Sequence, residues 1–295
     1  MNAKPFLKWA GGKTQLLSAI RKSLPADLAH RSNLTYVEPF VGSGAVLFWF
    51  LQQFTNVRQA VINDINPDLT NAYTVIKHEP EKLITVLDNL QETYYNLPSE
   101  AHRKDFFLEK RAQFNQRNHN ELDNTALLIF LNRTCFNGLY RVNSRNAFNV
   151  PFGRYANPRI CDAATLRADS QLLQRITILN GDYTQTLEHV TENAFFYFDP
   201  PYKPISKTAS FNAYSHETFN DDQQRRLADF CRKLHSDGYQ WLLSNSDLKN
   251  TDENNHFFEE LYAGFPVRRV RARRAINSDA SRRGEISELL ITNYV

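Results

Sequence analysis

The sequence predicts an α/β fold in which a mostly helical segment interrupts a Rossmann-like nucleotide-binding sheet. Residues 34–64 show a strand, a glycine turn, a helix and a second strand that ends at an acidic residue, which is the order of a nucleotide-binding unit. A helical, strand-poor segment follows at residues 67–161, and strand patterns return at residue 175. With 295 residues, the chain is long enough for a full core and two lobes.

The opening unit carries the residues that a nucleotide would need. A strand at residues 34–37 leads into a turn with Gly42 and Gly44, where the backbone can approach a ligand at a helix N-terminus. The second strand, at residues 59–62, is followed by Asp64, where a carboxylate would meet ribose hydroxyls. Each feature alone is ambiguous, since Asp64 could simply cap the next turn, but their order favours a nucleotide site.

The remaining pattern completes the α/β prediction. Helical stretches at residues 79–97, 102–118 and 124–131 fill the inserted segment, which ends in a loop at 143–157 rich in Asn, Arg and aromatic residues. Further strands are predicted at residues 175–179, 194–198, 239–244 and 288–292, with an amphipathic helix marked by Leu227, Phe230, Cys231 and Leu234.

Composition places the chain among ordinary globular proteins. Hydrophobic residues make up 42% and charged residues 23%, which excludes general disorder. No stretch approaches the roughly 18 apolar residues of a membrane span, and residues 1–5 lack the apolar core of a signal peptide. Cys135, Cys161 and Cys231 are odd in number and lack metal-ligand spacing, so neither a disulfide framework nor a zinc site is indicated. We expect a soluble protein in a reducing cytoplasm.

Positive charge is concentrated near the C-terminus, although the net charge is only +3. Seven arginines form this cluster: Arg268, Arg269, Arg271, Arg273, Arg274, Arg282 and Arg283. Such a run fits a solvated face as well as a surface that holds phosphates. It permits a nucleic-acid partner without requiring one.

The most informative motif is Asp199-Pro200-Pro201-Tyr202, which follows the apolar strand 194–198. A carboxylate, an imide-linked carbonyl and an aromatic ring leave the strand together, as methylation of an unreactive amino nitrogen would need. Two prolines after a strand also commonly just end it. The motif therefore indicates an active site only because a nucleotide site precedes it in the chain.

The type of nucleotide follows from what the glycine motifs lack. Gly12-Lys13-Thr14 resembles the end of a P-loop, but Leu7 stands where that motif has its first glycine. Leu47 stands where a dinucleotide motif has its third glycine, which disfavours NAD or FAD. A nucleoside cofactor without a pyrophosphate, such as S-adenosylmethionine, needs no phosphate cradle and fits both observations.

Taken together, these motifs resemble the Dam-type (D12 class) DNA adenine N6-methyltransferases, in the group whose cofactor motif precedes the target-recognition region. The similarity runs through nearly the whole chain, in ordered blocks at residues 8–13, 38–44, 63–64, 131–133, 137–139, 148–155, 199–202, 206–211 and 288–290. It implies a Rossmann-like S-adenosylmethionine-dependent methyltransferase sheet with an inserted, mostly helical DNA-recognition domain. Residues 1–66 and 162–295 would form the catalytic domain, and residues 67–161 the recognition domain.

The resemblance implies a methyl transfer from S-adenosylmethionine to N6 of a flipped-out adenine in double-stranded DNA, with GATC as the expected target. We expect a monomer that uses no metal and contacts no membrane, in a bacterial cytoplasm or nucleoid or encoded by a phage. A restriction-modification context is implied, while the presence of a partner restriction enzyme stays open. A non-catalytic DNA-binding module, and methylation of cytosine N4 or of RNA adenine, are the alternatives.

The resemblance also assigns residues to three roles. The catalytic set is Asp199, Pro200 and Tyr202. The cofactor set is Trp9, Ala10, Lys13, Phe40, Gly42, Asp64, Asp182, Tyr183 and Asp199. The DNA-reading set is Lys8, Phe136, Asn137, Leu139, Arg141, Asn149, Pro151, Arg154 and Tyr155.

Three expectations refine these roles. Phe136 replaces a tyrosine of the best-known family members, so a wedge between bases would keep its ring and lose its hydroxyl. Arg141 could read guanine in the major groove, and the C-terminal arginines could hold phosphates. The loop 203–214 could close over the base and bring Lys203 and Lys207 near phosphates.

Overall fold

Seven strands form one mixed sheet in the order β3-β2-β1-β4-β5-β7-β6, in a computed structural model that describes residues 3–9, 13–190, 192–202, 219–273 and 285–295. The strands are β1 (Leu34–Glu38), β2 (Val57–Asp64), β3 (Ile176–Asn180), β4 (Ala194–Phe198), β5 (Gln240–Ser246), β6 (Val267–Arg273) and β7 (Glu285–Thr292). β1 to β5 run parallel, and β7 runs antiparallel to both β5 and β6. The predicted α/β class is confirmed.

Nine α-helices occur in the described part of the chain. They are α1 (Leu17–Ser23), α2 (Ala45–Gln53), α3 (Pro67–His78), α4 (Pro80–Tyr95), α5 (Glu100–Gln116), α6 (Glu121–Thr134), α7 (Ala163–Leu173), α8 (Asp221–Ser236) and α9 (Phe257–Leu261). Short 3-10 turns lie at Lys13–Leu16, Leu28–His30, Phe136–Gly138, Tyr183–His189 and Leu248–Asn250. Across the residues that the structure describes, no helix is long and apolar enough to cross a membrane.

Some predicted residues lie outside the described residues. They are Ala10, the loop 203–214 with Lys203 and Lys207, and the arginines Arg274, Arg282 and Arg283.

The central strands are buried on both faces, because helices cover the sheet on each side. Every residue of β1 and β4 is buried, which is typical of parallel strands between helical layers. Alternate residues of β4 face opposite layers: Phe195 and Tyr197 join the core that contains α2, α3 and α6, whereas Phe196 and Phe198 join the core that contains α8 and α9. The period of two along the strand thus divides the hydrophobic core into two layers.

In the sequence, five helices, α3 to α7, separate β2 from β3. Every residue of α6 from Thr125 to Asn132 is buried, and α6 packs against α3, α4 and α5. α3 in turn packs on β2 and β3, so it belongs to the layer on the sheet as well as to the helical segment. The domain boundaries at residues 67 and 161 therefore stay a prediction.

The buried carboxylate of Asp68, at the start of α3, links several elements of the helical segment. Arg117 donates to both of its oxygens, at 2.5 and 2.6 Å. The Tyr140 hydroxyl and the Asn124 amide also donate to it, at 2.9 and 3.1 Å. Asp68 thus connects α3 with the end of α5, with α6 and with the loop that follows α6.

We expect Asp68→Ala to destabilise the fold by roughly 2–4 kcal/mol, because it leaves the Arg117 cation and a buried Tyr140 hydroxyl without their acceptor. Urea denaturation followed by circular dichroism measures the change. Asp105→Ala, at an exposed position of α5, is the control and should alter stability by less than about 0.5 kcal/mol. Equal stabilities of the two variants would show that Asp68 does not hold the helices together.

Candidate active site

The carboxyl ends of β1, β2, β3 and β4 meet at one edge of the sheet. The segments that follow these strands are residues 39–44, 65–66, 181–183 and 199–202. Crevices at this edge are where open α/β sheets bind ligands. The strand order therefore brings the predicted glycine turn, Asp64, Asp182 and Asp199 to the same region.

The turn after β1 depends on two glycines. Gly42 and Gly44 have φ of +51° and +75°, a region that side chains disfavour. A Cβ on Gly44 would lie 2.6 Å from the Tyr73 hydroxyl, which itself donates to the Gly42 carbonyl at 2.9 Å. A Cβ on Gly42 would lie 3.4 Å from Nε1 of Trp9. The N-terminal segment thus approaches the turn closely, which agrees with the prediction that Trp9 and Gly42 contact the same cofactor.

Asp64 holds this turn from the neighbouring strand. Its carboxylate accepts the Gly42 N–H at 3.1 Å and the Asn66 N–H at 2.9 Å. Burial raises the pKa of Asp64, and these two backbone bonds oppose part of the rise. Asp64 is therefore a structural acceptor for both turns, in addition to any contact that it makes with a ligand.

Aromatic and apolar side chains surround the polar groups at this edge. Phe40 lies against Tyr183, with ring centroids 5.1 Å apart, and Trp9 stacks on Tyr140 at 5.2 Å. The Ile65 side chain, next to Asp64, is 59% exposed. These rings and this exposed isoleucine offer flat apolar surfaces of the kind on which a nucleobase packs.

Asp182 lies at the end of β3 and is paired within the protein. Arg226 on α8 donates to both of its oxygens, at 2.6 and 3.0 Å, and the Thr184 N–H donates at 3.1 Å. Partial burial would raise the pKa of Asp182, but the bonds from Arg226 and Thr184 outweigh it, so the pKa is lowered. Asp182 is thus an ionised acceptor held in one orientation.

Asp199 forms the centre of a largely buried ionic cluster, in which Lys13 is buried and Asp199 and Glu288 are partly exposed. The Lys13 ammonium lies 2.9 Å from its Oδ1 atom and 3.7 Å from Glu288 of β7. The Tyr202 hydroxyl contacts Lys13 and donates to Glu288 at 2.7 Å. The Ser244 hydroxyl donates to Asp199 Oδ1 at 3.2 Å. Lys13, which was predicted to touch the cofactor, therefore also contacts the predicted catalytic set.

Burial governs the electrostatics of this cluster. Loss of hydration raises the pKa of Asp199, while Lys13 lowers it and the nearby Glu288 raises it further. Glu38, at the end of β1, is 2% exposed and accepts a bond from the Tyr36 hydroxyl at 2.7 Å. Burial, together with the charge of Asp199, raises the pKa of Glu38 well above its usual range. Pro200 is buried beside them.

All predicted DNA-reading residues except Lys8 lie in the loop after α6. Isolated bridges join Cys135 to Phe152 and Val142 to Phe148, so residues 135–155 fold back as an irregular hairpin. Phe136, at the start of this hairpin, is 51% exposed. Leu139, Pro151 and Tyr155 belong to the same hairpin, and Arg154 lies 3.8 Å from Glu100.

Two residues of this hairpin orient each other. Nε of Arg141 donates to Oδ1 of Asn149 at 2.7 Å, and the Asn149 N–H donates to the Arg141 carbonyl at 3.1 Å. Beside them, Asn137 has φ of +55°, and its N–H donates to the Tyr155 hydroxyl at 3.3 Å. The structure thus brings the predicted reading residues together on one surface element.

A single buried asparagine joins this hairpin to the N-terminal segment. Asn132 accepts the Lys8 N–H and donates to the Lys8 carbonyl and to the Gly138 carbonyl, each at 2.8 Å. The Lys8 side chain lies over Gly138, where a Cβ would come within 2.4 Å of it. Lys8 is thereby placed beside the hairpin, with its ammonium 5.5 Å from the centre of the Tyr155 ring. A cleft of about 350 Å³ between the two segments is lined by Pro5, Leu7, Lys8, Trp9, Thr14, Ser43, Ala45, Asn137, Gly138 and Leu139.

The arginine run on β6 is only partly available to a ligand. Arg268, Arg269 and Arg271 are all exposed, and Arg269 is paired with Asp247 at 2.8 Å and with Glu259. Among the described residues, no group of His, Cys, Asp and Glu is arranged to hold a metal ion.

Sequence reasoning missed several residues of the site. Glu288, Ser244, Asn132 and Arg226 contact the predicted residues. No role was assigned to any of the four, although Asn132 and Glu288 lie in the blocks 131–133 and 288–290 that resemble the family. Glu288 and Ser244 lay within predicted strands, where the polar residue in an apolar run was the available signal. The sequence does not give the pairing of the strands, so it could not show which residues lie next to Glu288 and Ser244.

Comparison with known proteins identifies relatives along the whole chain. The profile of the family D12 class N6 adenine-specific DNA methyltransferase matches residues 9–276. The chain is 47% identical to the Type II methyltransferase M.MjaIII of Methanocaldococcus jannaschii, over 100% of both chains. It is 38% identical to the Type II methyltransferase M1.LlaDCHI of Lactococcus lactis, over 100% of this chain and 96% of that one. It is 36% identical to the DNA adenine methylase of Vibrio cholerae, over 97% and 95%.

The buried Glu38 predicts a specific pH dependence of stability. A raised pKa in the folded state means that the folded protein loses stability as pH rises from the ordinary value of 4.5 toward the folded value. Glu38→Gln is neutral throughout and keeps an acceptor for Tyr36, so it should gain stability over the wild type by up to about 1.4 kcal/mol per pH unit in that window.

Urea denaturation at several pH values from 5 upward measures this difference. Glu253→Gln, at an exposed position, is the control and should follow the wild type. A constant difference between Glu38→Gln and the wild type would show that Glu38 titrates alike in the folded and unfolded chains.

Proposed function

The chain belongs to the D12 class of N6 adenine-specific DNA methyltransferases, and on that premise we propose that it transfers a methyl group from S-adenosylmethionine to N6 of an adenine turned out of duplex DNA. The target sequence that we propose is GATC. The observation that carries the proposal is the position of Asp199. It follows β4 at the same edge of the sheet as the glycine turn, precedes Tyr202 in the motif, and has Lys13 as its counter-ion. An acceptor for an amino group thus lies next to a nucleoside-type site.

The residues at the sheet edge fit a nucleoside methyl donor. The close approach of Trp9 to the turn at Gly42 suits a ligand that contacts backbone and an aromatic ring together. Asp64 would take the ribose hydroxyls, and Asp182 with Tyr183 would hold the base, for which Phe40 and the exposed Ile65 offer apolar surfaces. When bound, S-adenosylmethionine supplies an electrophilic methyl group on a sulfonium with a neutral leaving group.

The chemistry then requires acceptance of hydrogen bonds more than strong basicity. Adenine N6 is a poor nucleophile because its lone pair is delocalised into the ring. If Asp199 and the Pro200 carbonyl each accept an N6–H bond, the nitrogen moves toward tetrahedral geometry and its lone pair points at the methyl group. Holding the reacting atoms in line contributes roughly 7–11 kcal/mol in well-oriented reactions. Asp199 can accept the N6 proton after the methyl group has moved.

The role that we propose for Tyr202 is to stack on the adenine that has been turned out of the duplex. Turning an adenine out of the duplex costs a few kcal/mol, and stacking on an aromatic ring returns about 1–3 kcal/mol per base in single-strand binding. The Tyr202 ring lies beside Asp199 and is fixed through its hydroxyl. It can therefore stack on the adenine whose amino group Asp199 receives.

Sequence reading belongs, in this proposal, to the recognition domain at residues 67–161 and above all to the hairpin 135–155. The exposed Phe136 ring can wedge into the base stack, while Lys8 reaches the hairpin from the catalytic side. Asn149 accepts hydrogen bonds from Nε of Arg141 at 2.7 Å and from one of its terminal nitrogens at 3.3 Å, which holds the guanidinium in one orientation for contact with a base edge. Exposed arginines of β6 would contact phosphates, giving an affinity that falls with salt.

We expect plasmid DNA from cells that express the chain to carry N6-methyladenine in GATC. We expect Asp199→Ala to abolish methyl transfer, while calorimetry still detects binding of S-adenosylmethionine to this variant. The reason is that the variant loses an acceptor for the amino group and keeps the nucleoside site. Single-molecule sequencing reports base and motif together, and nucleoside masses separate N6-methyladenine from N4-methylcytosine. Asp229→Ala, at an exposed position of α8, is the control. Turnover by Asp199→Ala, or N4-methylcytosine as the product, would contradict the proposal.

We expect Arg141→Ala to lower discrimination at one base pair of the target by about 1–3 kcal/mol, the value of a bidentate arginine–guanine contact. Initial rates on duplexes that carry single substitutions in the target measure this loss. Arg145→Ala, at an exposed position of the same hairpin, is the matched control and should leave the order of preference unchanged. If Arg141→Ala instead slows all duplexes equally, Arg141 contacts phosphate.

A further inference from the structure

We propose that Glu288 of β7 is a positioning residue for methyl transfer, which fixes the Tyr202 ring through its hydroxyl and shares the Lys13 ammonium with Asp199. This inference rests on the proposed function and extends it to a strand that contributes no residue to the predicted catalytic, cofactor or DNA-reading sets. Glu288 is 86 residues beyond Tyr202 in the sequence and 2.7 Å from its hydroxyl in the structure.

Strand register explains how Glu288 reaches the site. β7 runs antiparallel to β5, and Glu288 pairs with Ser246, the last residue of β5. Because β7 is reversed, its first half lies at the edge where the parallel strands end. Two residues further along β7, Leu290 pairs with Ser244, the residue that donates to Asp199. The same pair of strands thus brings Glu288 and Ser244 beside Asp199.

Charge and burial give Glu288 a task. Lys13 is only 4% exposed, and a buried ammonium is stable when carboxylates compensate it. Its nitrogen lies 2.9 Å from Asp199 and 3.7 Å from Glu288. At 3.7 Å Glu288 attracts the ammonium electrostatically without a direct hydrogen bond, and the Tyr202 hydroxyl, which contacts Lys13 and donates to Glu288, links the two groups.

The contacts of Asp199 show why this arrangement matters. Among the described residues, Lys13 and Ser244 both contact its Oδ1 atom. The other oxygen, Oδ2, is the one that can accept an amino proton without displacing Lys13. An ammonium held by two carboxylates stays on one side of Asp199, and the Tyr202 ring stays on the side that faces the base.

We expect Glu288→Gln to lower kcat about tenfold or more, while KM for S-adenosylmethionine and for DNA changes less than about threefold, because the variant weakens bonds that act on the reacting geometry. Glutamine keeps the size of the side chain, so folding should be preserved, which a thermal unfolding curve checks. The matched control is Ser287→Ala, the next residue of β7, whose hydroxyl instead donates to Asp247. It should keep the wild-type kcat.

A double-mutant cycle with Tyr202→Phe separates positioning from a general structural role. If Glu288 acts through the Tyr202 hydroxyl, the double variant should be about as slow as the slower single variant. Additive losses, a kcat of Glu288→Gln within about twofold of the wild type, or an equal loss in Ser287→Ala would each overturn the inference. If the wild-type chain methylates no DNA, the proposed function fails first, so the two failures are distinguishable.

Discussion

The ion pair between Lys13 and Asp199 determines how the rest of the site is assembled. Its two partners come from distant parts of the chain, and Lys13 is buried while Asp199 is only 21% exposed, so the pair is stable only when their distance is short. The 2.9 Å contact therefore fixes the N-terminal segment over the carboxyl edge of the sheet. Once this segment is fixed, Trp9 lies against the glycine turn and Lys8 against the recognition hairpin.

The N-terminal segment also joins the two proposed ligand sites. Asn132 bonds to both backbone groups of Lys8 and to the Gly138 carbonyl, while the next residue, Trp9, stacks on Tyr140 of the hairpin. Tyr140 in turn bonds to the buried Asp68. A displacement of the hairpin would thus also move Trp9 at the proposed nucleoside site, because packed and hydrogen-bonded groups resist small independent shifts.

The sequence predicted what depends on contiguous residues. The glycine turn, Asp64, Asp182 and Asp199 each follow a strand, and parallel strands bring such residues to one edge, so their convergence could be deduced before the fold was seen. β6 was missed, because its alternating arginines resemble a solvated run and not a strand. The contacts of Glu288 and Ser244 were missed since they depend on which strand pairs with β5, and that choice is set by long-range packing that no local pattern contains.

The two C-terminal strands, β6 and β7, place charged side chains on opposite faces of the sheet. Side chains alternate along β6 and β7, so Glu288 faces Lys13 and Tyr202, while its neighbour Ser287 faces Asp247 on the other side of the sheet. Arg269 lies on that second side and is neutralised by Asp247 and Glu259. A slip of one residue in β7 would exchange these faces, removing Glu288 from the active site and placing its carboxylate beside Asp247. Correct register between β5 and β7 is therefore as necessary for the site as the residues of the motif itself.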